Sequence, residues 1–592
     1  MISRLRLATF LPGAAGLAWI VAGGAPSMVL LPALLFLAAF AALVVWHSRV
    51  EERAACFEAL RVASSRAHAR VTRAWDGLPA ADAPIGIDLT HHPYALDLDL
   101  FGRASLVQWL GPSATPAGAA ALASWLLESP DVDEIRARQA AVAELAPLAE
   151  WREQLSAHGI LASGAGAEDL RRFFEWAEEG DLFGGFEAAW RALVIALTLS
   201  IWSLLAFQIS GTLRGALWAI PAVAGLVLSF FTARRVYRTF DRAGAGQRTL
   251  SRYAGLFEHA VTAPAGTPRL AQLHGRMTAD GHLAPRCMRQ LNRILGFAEL
   301  RSSAAILHFP VQALTLWDLH VAFALDRWRR RVGGRVRAWV AALGELDALA
   351  SLATVSFDNP GWCTPEFQAD PLLAASSLGH PLLPDARRVA NDVEIGPPGS
   401  VLVITGSNMS GKSTLLRAVG LNVVLAQAGA VACAATLRLP ASRLQASIHV
   451  QDSLELGLSY FMAALARLKG IVDAAERPRG DQALLYLLDE ILQGTNSAER
   501  SVAVRAIVQH LLDAGAIGAM TTHDLAVASQ PPLDRAARLV HFTETVDASG
   551  TMTFDYRLRP GLATSRNALR LMQLIGLELP AAVDPGSGPP VA

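Results

Sequence analysis

The chain has 592 residues, 52 basic and 52 acidic side chains, a formal net charge of zero and a mean hydropathy of +0.32. Hydrophobic residues make up 52% and charged residues only 18%, against about 25% charged in soluble domains. This composition excludes a disordered or fibrous chain and predicts segments that lie in lipid. It also excludes a global electrostatic attraction to nucleic acid, so any basic surface must be local. The four cysteines lie far apart, without zinc-ligand spacing, which fits a reducing compartment.

The N-terminal segment is apolar enough to cross a membrane twice. Residues 7–46 contain no charged side chain, and about 20 residues suffice for one span. A GGAPS stretch at residues 23–27 offers a turn between two spans. We predict a transmembrane hairpin over residues 1–50, with a signal peptide after Arg4 and Arg6 as the alternative.

A second apolar pair lies further along the chain. Residues 192–213 and 215–233 are uncharged on either side of Arg214, which predicts a second transmembrane hairpin over residues 190–236; a buried core hairpin is the alternative. Arginines flank both hairpins at the ends away from the turns. The positive-inside rule then predicts a multi-pass protein of a bacterial-type inner (plasma) membrane, with the rest of the chain cytoplasmic.

The regions after the two hairpins are predicted to be helical. Residues 51–189 include a helix at 51–75 and a capped helix at Val132–Leu145, and residues 237–355 are rich in Ala, Leu and Arg. Six arginines lie between Arg327 and Arg337; lipid headgroups, an acidic protein, nucleic acid or a solvated helix face are all open interpretations.

From about residue 356 the pattern changes to short β-rich runs alternating with helices, which predicts an α/β domain to residue 580 and a tail over 581–592. The buried-strand run Val401–Thr405 leads directly into a G-x-x-x-x-G-K-S loop and then a helix at 414–427. This is the strand–loop–helix context that a phosphate-binding loop requires. Only two of the 52 basic residues are lysines, and one of them, Lys412, occupies the lysine position of this loop. The predicted nucleotide-binding residues are Gly406, Ser407, Asn408, Met409, Ser410, Gly411, Lys412, Ser413 and Thr414.

The second half of such a site is an apolar strand that is followed by acidic residues. Residues 484–488 run into Asp489 and Glu490, and His523 follows a third strand-like run. We predict that Lys412 reaches the β- and γ-phosphates and that Ser413 and Asp489 hold magnesium. Glu490 would polarise the attacking water and His523 would sense the γ-phosphate.

The order of these motifs resembles the ATPase domain of the MutS family, which shares its architecture with ABC proteins. The resemblance includes the G-S-N-M-S-G-K-S-T loop, the L-D-E-I-L-Q-G-T-N-S string at 488–497 and the Thr-His pair at 522–523. It implies a P-loop α/β domain, with ATP and Mg²⁺ as ligands, behind core and lever helices similar to those of the family. It also implies a homodimer in which Asn496 and Ser497 face the nucleotide of the other subunit. Tyr556 stands where the family places an aromatic side chain on the adenine; a half-buried strand tyrosine is the alternative.

The first apolar hairpin stands where a mismatch-reading domain would be, so mismatch recognition is not implied. The F-x-E-like string at Phe173–Glu175 is interpreted as coincidental. Asn496 replaces a usual serine, and Ala464 replaces a usual glutamate. The predicted function is a membrane-anchored MutS-like ATPase that is dimeric and coupled to DNA. The alternative is an ABC-like mechanical membrane ATPase that acts on a protein or lipid. The predicted partners are a second copy of the chain, membrane lipid and, as a candidate, DNA.

Overall fold

A computed structural model describes residues 2–21, 27–83, 88–111, 115–162, 167–180, 186–245, 247–278, 283–299, 305–407, 410–448, 460–477, 480, 482–492, 497–524, 530–546 and 552–562. The chain divides into two compact units. The first comprises residues 1–65, 153–259 and 285–334, and the second comprises residues 66–152, 260–284 and 335–592.

Among the described residues, the regular structure of the first unit is helical, and its α-helices lie wholly or partly within it. They are α1 (Ile2–Val21), α2 (Leu30–Thr72), α6 (Ala149–Ala162), α7 (Ala167–Glu178), α8 (Glu187–Ile209), α9 (Ala219–Ala245), α10 (Gln247–Ala260), α12 (Ala284–Ala298), α13 (Ala305–Thr315) and α14 (Trp317–Asp358).

Helix α2 joins two segments that the sequence suggested as separate. The second apolar run of the first predicted hairpin and the predicted helix at 51–75 form one helix of 43 residues. The sequence has no glycine or proline from Ala33 to Thr72, so nothing in this stretch breaks the backbone hydrogen bonding. The helix ends before Arg73, which has a φ of 56°.

Four helices among the described residues are long and apolar enough to cross a membrane, by length and composition only: Leu31–Thr72, Glu187–Gln208, Ala219–Ala243 and Trp317–Asp358. Three of them coincide with predicted spans. Helix α1, at the place of the first predicted span, is not among these four. In the fourth, α14, 67% of the apolar window is buried inside the protein.

Helices α8, α9 and α14 share an apolar core inside the first unit. Val194 of α8 and Val236 of α9 pack with Leu319 and Phe323 of α14. The arginine run divides between core and surface, because Arg329 is buried beside Asp326 while Arg331 is exposed.

Helix α7 contains the F-x-E-like string. Phe173 is buried in its core, and Glu175 pairs with Arg171 one turn away. These side chains therefore serve the packing and the surface of their own helix, in agreement with the interpretation of the string as coincidental.

The second unit combines short helices with three sheets. Its helices are α3 (Leu106–Leu110), α4 (Pro116–Leu127), α5 (Val132–Leu145), α11 (Pro268–Thr278), α15 (Lys412–Ala428), α16 (Tyr460–Glu476), α17 (Ser497–Asp513) and α18 (Leu533–Ala536). The predicted helix Val132–Leu145 is confirmed with its bounds. The strands are β1 (Glu366–Gln368), β2 (Leu373–Leu378), β3 (Asn391–Ile395), β4 (Val401–Thr405), β5 (Thr436–Pro440), β6 (Ser442–Ser447), β7 (Ala483–Asp489), β8 (Ile517–Thr521), β9 (Ala537–His541), β10 (Glu544–Val546), β11 (Met552–Phe554) and β12 (Arg559–Pro560).

The main sheet has six strands in the order β12-β9-β4-β8-β7-β6. Its four pairings from β9 to β6 are parallel, and β12 adds to the β9 edge in an antiparallel direction. Strand β4 is buried along its whole length, as its unbroken apolar run predicts for a parallel sheet covered on both faces. In such sheets ligands bind beyond the carboxyl ends of the strands, so the ends of β4, β7 and β8 define the place to look for a site.

Candidate nucleotide-binding site

The loop between β4 and α15 has the predicted strand–loop–helix context. Gly406 has a φ of 144° and Gly411 a φ of 104°, a region that favours glycine. A Cβ at Gly406 would lie 2.9 Å from Ser410 Oγ, and one at Gly411 would lie 3.1 Å from the Tyr556 ring. Both glycines are therefore required for the backbone path. Asn408 and Met409 lie outside the described residues.

Lys412 lies at the centre of this loop with only 5% of its side chain exposed. Its Nζ donates hydrogen bonds to the carbonyl oxygens of Gly406 and Ser407, at 3.0 and 2.9 Å. The same atom lies 3.2 Å from Glu490 Oε1. A buried ammonium needs such oxygen partners, and here they hold the charge between the loop and the acidic end of β7.

Asp489 and Glu490 lie at the end of β7, next to β8 in the sheet. The register pairs Asp489 with Thr521, whose hydroxyl donates to Asp489 Oδ1. The same hydroxyl accepts the backbone N–H of Glu490 at 3.0 Å. His523 Nδ1 lies 3.6 Å from Glu490 Oε2, with about half of the histidine side chain exposed. The four predicted residues Lys412, Asp489, Glu490 and His523 are thus brought together, and Thr521 orients two of them.

A cavity of about 610 Å³ opens beside these groups. Its lining includes Gly411, Lys412, Ser413, Thr414, Asp489 and Glu490 from the predicted site, and His380, Arg387, Asn391, Phe542 and Tyr556 from other segments. Predicted phosphate-site residues and more distant side chains therefore share one pocket.

His380 is a titratable residue of this pocket whose pKa departs from its ordinary value. Burial lowers its pKa to about 4, and the charges of Arg417 and Arg388 act in the same direction. The imidazole is therefore neutral at pH 7, and its Nδ1 accepts the backbone N–H of Leu382 at 3.3 Å.

Tyr556 lies after β11 rather than within a strand, with a φ of 54°. Its backbone oxygen accepts a hydrogen bond from Asn391 Nδ2 at 3.0 Å, and the Asn391 oxygen accepts from the N–H of Leu558 at 2.7 Å. The ring is exposed to the pocket and stacks on Phe554 at 5.9 Å between centroids. This placement differs from the half-buried strand tyrosine; the adenine contact stays a prediction.

Of the two residues expected to act on the other subunit, Asn496 lies outside the described residues. Ser497 is the first residue of α17, as the predicted loop-to-helix boundary requires. Their role across a dimer stays a prediction.

The residues present fit a magnesium nucleotide. Ser407 Oγ and Ser410 Oγ are buried without a hydrogen-bond partner among the described residues, and buried hydroxyls of this kind are usually paired. Phosphate oxygens are acceptors of the right kind for them. The exposed Ser413 hydroxyl and the Asp489 carboxylate line the same cavity and would hold Mg²⁺, an ion that takes oxygen ligands.

Sequence reasoning missed four of these residues as parts of the site: Thr521, His380, Arg387 and Asn391. Thr521 directly follows the strand run that ends at Met520, so pairing the ends of the two predicted strands would have found it. No local signal in the sequence placed His380, Arg387 or Asn391 in the pocket.

Comparison with protein families matches residues 402–583 to MutS domain V. The chain is 33% identical to a DNA mismatch repair protein MutS of Natronomonas pharaonis over 250 residues, which is 41% of this chain and 28% of the relative. It is 32% identical over 271 residues to DNA mismatch repair protein MutS 2 of Halobacterium salinarum, covering 43% of this chain and 30% of the relative. Endonuclease MutS2 of Thermomicrobium roseum is 36% identical over 208 residues, covering 33% of this chain and 24% of the relative. The matched region therefore spans less than a third of each of these relatives.

Proposed function

Because its C-terminal region belongs to the MutS family, we propose that this chain is a membrane-anchored ATPase that works as a homodimer and couples ATP hydrolysis to DNA. The observation that carries the ATPase part is the position of Lys412. Its ammonium is buried between the carbonyls of the phosphate loop and the carboxylate of Glu490.

In this proposal Lys412 exchanges its loop carbonyls for phosphate oxygens when ATP enters. The amides at the start of α15 and the positive end of that helix face the same place. Magnesium, held by Ser413 and Asp489, would neutralise charge on the phosphates. Glu490 then orients the attacking water, and Thr521 fixes the directions of the Asp489 side chain and the Glu490 backbone. Catalysis of phosphoryl transfer is mostly positioning and electrostatics of this kind.

The dimer is proposed because the loop before α17 would complete the site of the other subunit. A two-fold arrangement places each Lys412 opposite the Ser497 of the second copy. Lys412→Ala and Ser497→Arg should each abolish turnover alone, and a mixture should regain activity through one intact site in each mixed dimer. Absence of complementation, with activity strictly proportional to monomer concentration, would contradict shared sites.

The DNA part rests on the relatives, which include two DNA mismatch repair proteins and an endonuclease by name. Zero net charge and the apolar helices favour the alternative, a mechanical membrane ATPase that acts on a protein or lipid. DNA binding by the detergent-solubilised protein, titrated with salt, separates the two. Phosphate contacts give a linear fall of the logarithm of affinity with the logarithm of salt concentration. No binding at low salt would favour the alternative.

Membrane anchoring, with the ATPase domain in the cytoplasm of a bacterial-type cell, is supported by the surfaces of α8 and α9. Large apolar side chains are exposed along both helices, among them Leu199, Trp202, Val223 and Phe230. Soluble proteins rarely expose such contiguous apolar surfaces.

A further inference from the structure

Helix α13 buries polar side chains and exposes a phenylalanine, and it joins α14 through Leu316 alone to form a helical hairpin. His308 and Gln312 of α13 are 8% and 7% exposed, whereas Phe309 between them is 67% exposed. In water the opposite distribution is expected, because polar groups face solvent and apolar groups face the core. Polar inside and apolar outside is the distribution of an element surrounded by lipid.

The buried polar groups of this hairpin pair with one another and with α9. His308 Nε2 lies 2.9 Å from Asp318 Oδ1, and the Tyr237 hydroxyl lies 3.3 Å from the other oxygen of Asp318. Gln312 donates to Ser229 Oγ at 3.0 Å and accepts the backbone N–H of Asp318 at 2.9 Å. Ionisable groups inside a membrane are found paired in this way.

The tip of the hairpin lies beside the middle of the two apolar helices α8 and α9. Leu316, between α13 and α14, is fully buried, and its Cδ2 would lie 2.6 Å from a Cβ at Gly225 of α9. Thr198 of α8 donates to the carbonyl of Thr315 at 3.4 Å. A glycine at such a crossing allows close approach of helices in lipid.

Ion pairs mark the other end of the hairpin. Arg330 of α14 pairs with Glu187, the first residue of α8. Arg329 of α14 lies 4.0 Å from Glu179, which also pairs with Arg242 of α9. From Glu187 to Thr198 an α-helix rises about 16 Å, roughly half of the hydrocarbon thickness. Helix α13, with 11 residues, is too short to span it, so the hairpin enters and returns on one side.

We infer that residues 305–330 form a re-entrant helical hairpin that inserts into the cytoplasmic half of the bilayer beside α8 and α9, with Phe309 in contact with lipid acyl chains. The inference rests on the proposed membrane anchoring. It changes the sequence-based picture, in which residues 237–355 are a cytosolic helical region, and it makes α13 part of the anchor.

Fluorescence quenching in proteoliposomes tests this inference. Cys56, Cys287, Cys363 and Cys433 are replaced by alanine, and a bimane label is placed on a single cysteine at Phe309, at Phe230 of α9 or at Leu96 of the second unit. All three positions are exposed in the structure. The quenchers are a phospholipid with a doxyl group on carbon 5 of its acyl chain and iodide in the buffer.

The lipid quencher should reduce emission at 309 and 230 to a similar extent and leave 96 unchanged, while iodide should quench only 96. Adding Gly225→Val, which crowds Leu316, should reduce lipid quenching at 309 and spare 230. Iodide quenching at 309 without lipid quenching would overturn the re-entrant hairpin. If 230 then still shows lipid quenching, anchoring by α9 stands; if 230 also responds only to iodide, the anchoring proposal fails with it.

Discussion

The nucleotide pocket of the second unit and the α8–α9–α13 bundle of the first unit place their polar side chains in opposite ways. Around the pocket, apolar strands are buried and charged groups converge on an open cavity. In the bundle, His308 and Gln312 are buried while Phe230 and Phe309 are exposed. Charge can be concentrated at the pocket because water and phosphate solvate it, whereas in lipid each polar group must find a protein partner. This difference is what the proposed membrane anchoring predicts for one chain in two solvents.

The largest effect is expected from the pocket's lysine. Lys412→Ala removes the ammonium group that lies between the loop carbonyls and Glu490. We expect ATP turnover to fall by about 100- to 1000-fold. The chain's other lysine provides a matched control, because Lys469 is exposed and, among the described residues, pairs with Asp473 one turn away. Lys469→Ala should leave turnover within about two-fold, since exposed pairs contribute at most about 1 kcal/mol. If both variants lost the same fraction of ATP turnover, the position of Lys412 in the pocket would not explain its effect.

The residues that meet at the pocket could be picked out from the sequence because their motifs are local. The loop at 406–414 carries its own glycines, lysine and helix start, and the acids follow their strand directly. Thr521 and His380 were not predicted as site residues, because only the pairing of β7 with β8 and the packing of a distant segment bring them there.

The bundle was predicted only in part. The uncharged runs of α8 and α9 are visible in the sequence, but α13 is short and carries His308 and Gln312, which resemble a solvated face. Only the contacts with Ser229 and Asp318 show that these polar groups point inward.

The proposed contact of α9 with lipid can be tested by introducing a charged side chain. Val223 is exposed on α9, and an arginine near the centre of a span costs about 2.5 to 3.5 kcal/mol of insertion free energy. Val223→Arg should therefore reduce the inserted fraction in an alkaline carbonate extraction. Leu96→Arg, at an exposed apolar residue of the second unit, should leave the fraction unchanged. If both variants were extracted like the unaltered chain, α9 would not face lipid.

The nucleotide pocket also makes the stability of the fold depend on pH through His380. The pKa of His380 is about 4 in the folded protein, below its ordinary value of 6.5, so the folded state excludes a proton that the unfolded state binds. This contribution to stability is fully present above pH 6.5 and is lost as the pH falls towards 4, by up to about 3 kcal/mol.

His380→Asn keeps an acceptor for the N–H of Leu382 but does not titrate. Its unfolding temperature should fall less between pH 6.5 and pH 4 than that of the unaltered chain, as measured by differential scanning fluorimetry. Parallel pH profiles for the two proteins would show that His380 does not contribute in this range.

The smallest effect concerns Thr521, a buried residue whose hydroxyl hydrogen-bonds Asp489 and the backbone of Glu490. Thr521→Val removes two hydrogen bonds, each worth about 1 kcal/mol, so we expect roughly a ten-fold fall in kcat and a higher Mg²⁺ concentration for half-maximal activity. Thr521→Ser should restore both values, because the hydroxyl returns. A variant whose kcat falls while its Mg²⁺ requirement stays unchanged would argue against orientation of Asp489.

The central claim is that this pocket hydrolyses ATP through Glu490. It is tested most directly by measuring ATP affinity and Mg²⁺-dependent turnover of the full-length protein and of Glu490→Gln under the same conditions. Glutamine keeps the size of the side chain and a hydrogen-bonding oxygen but loses the carboxylate charge. The account predicts ATP binding within a few-fold of the unaltered chain and turnover lower by about 100-fold or more. Unchanged turnover in Glu490→Gln would contradict it.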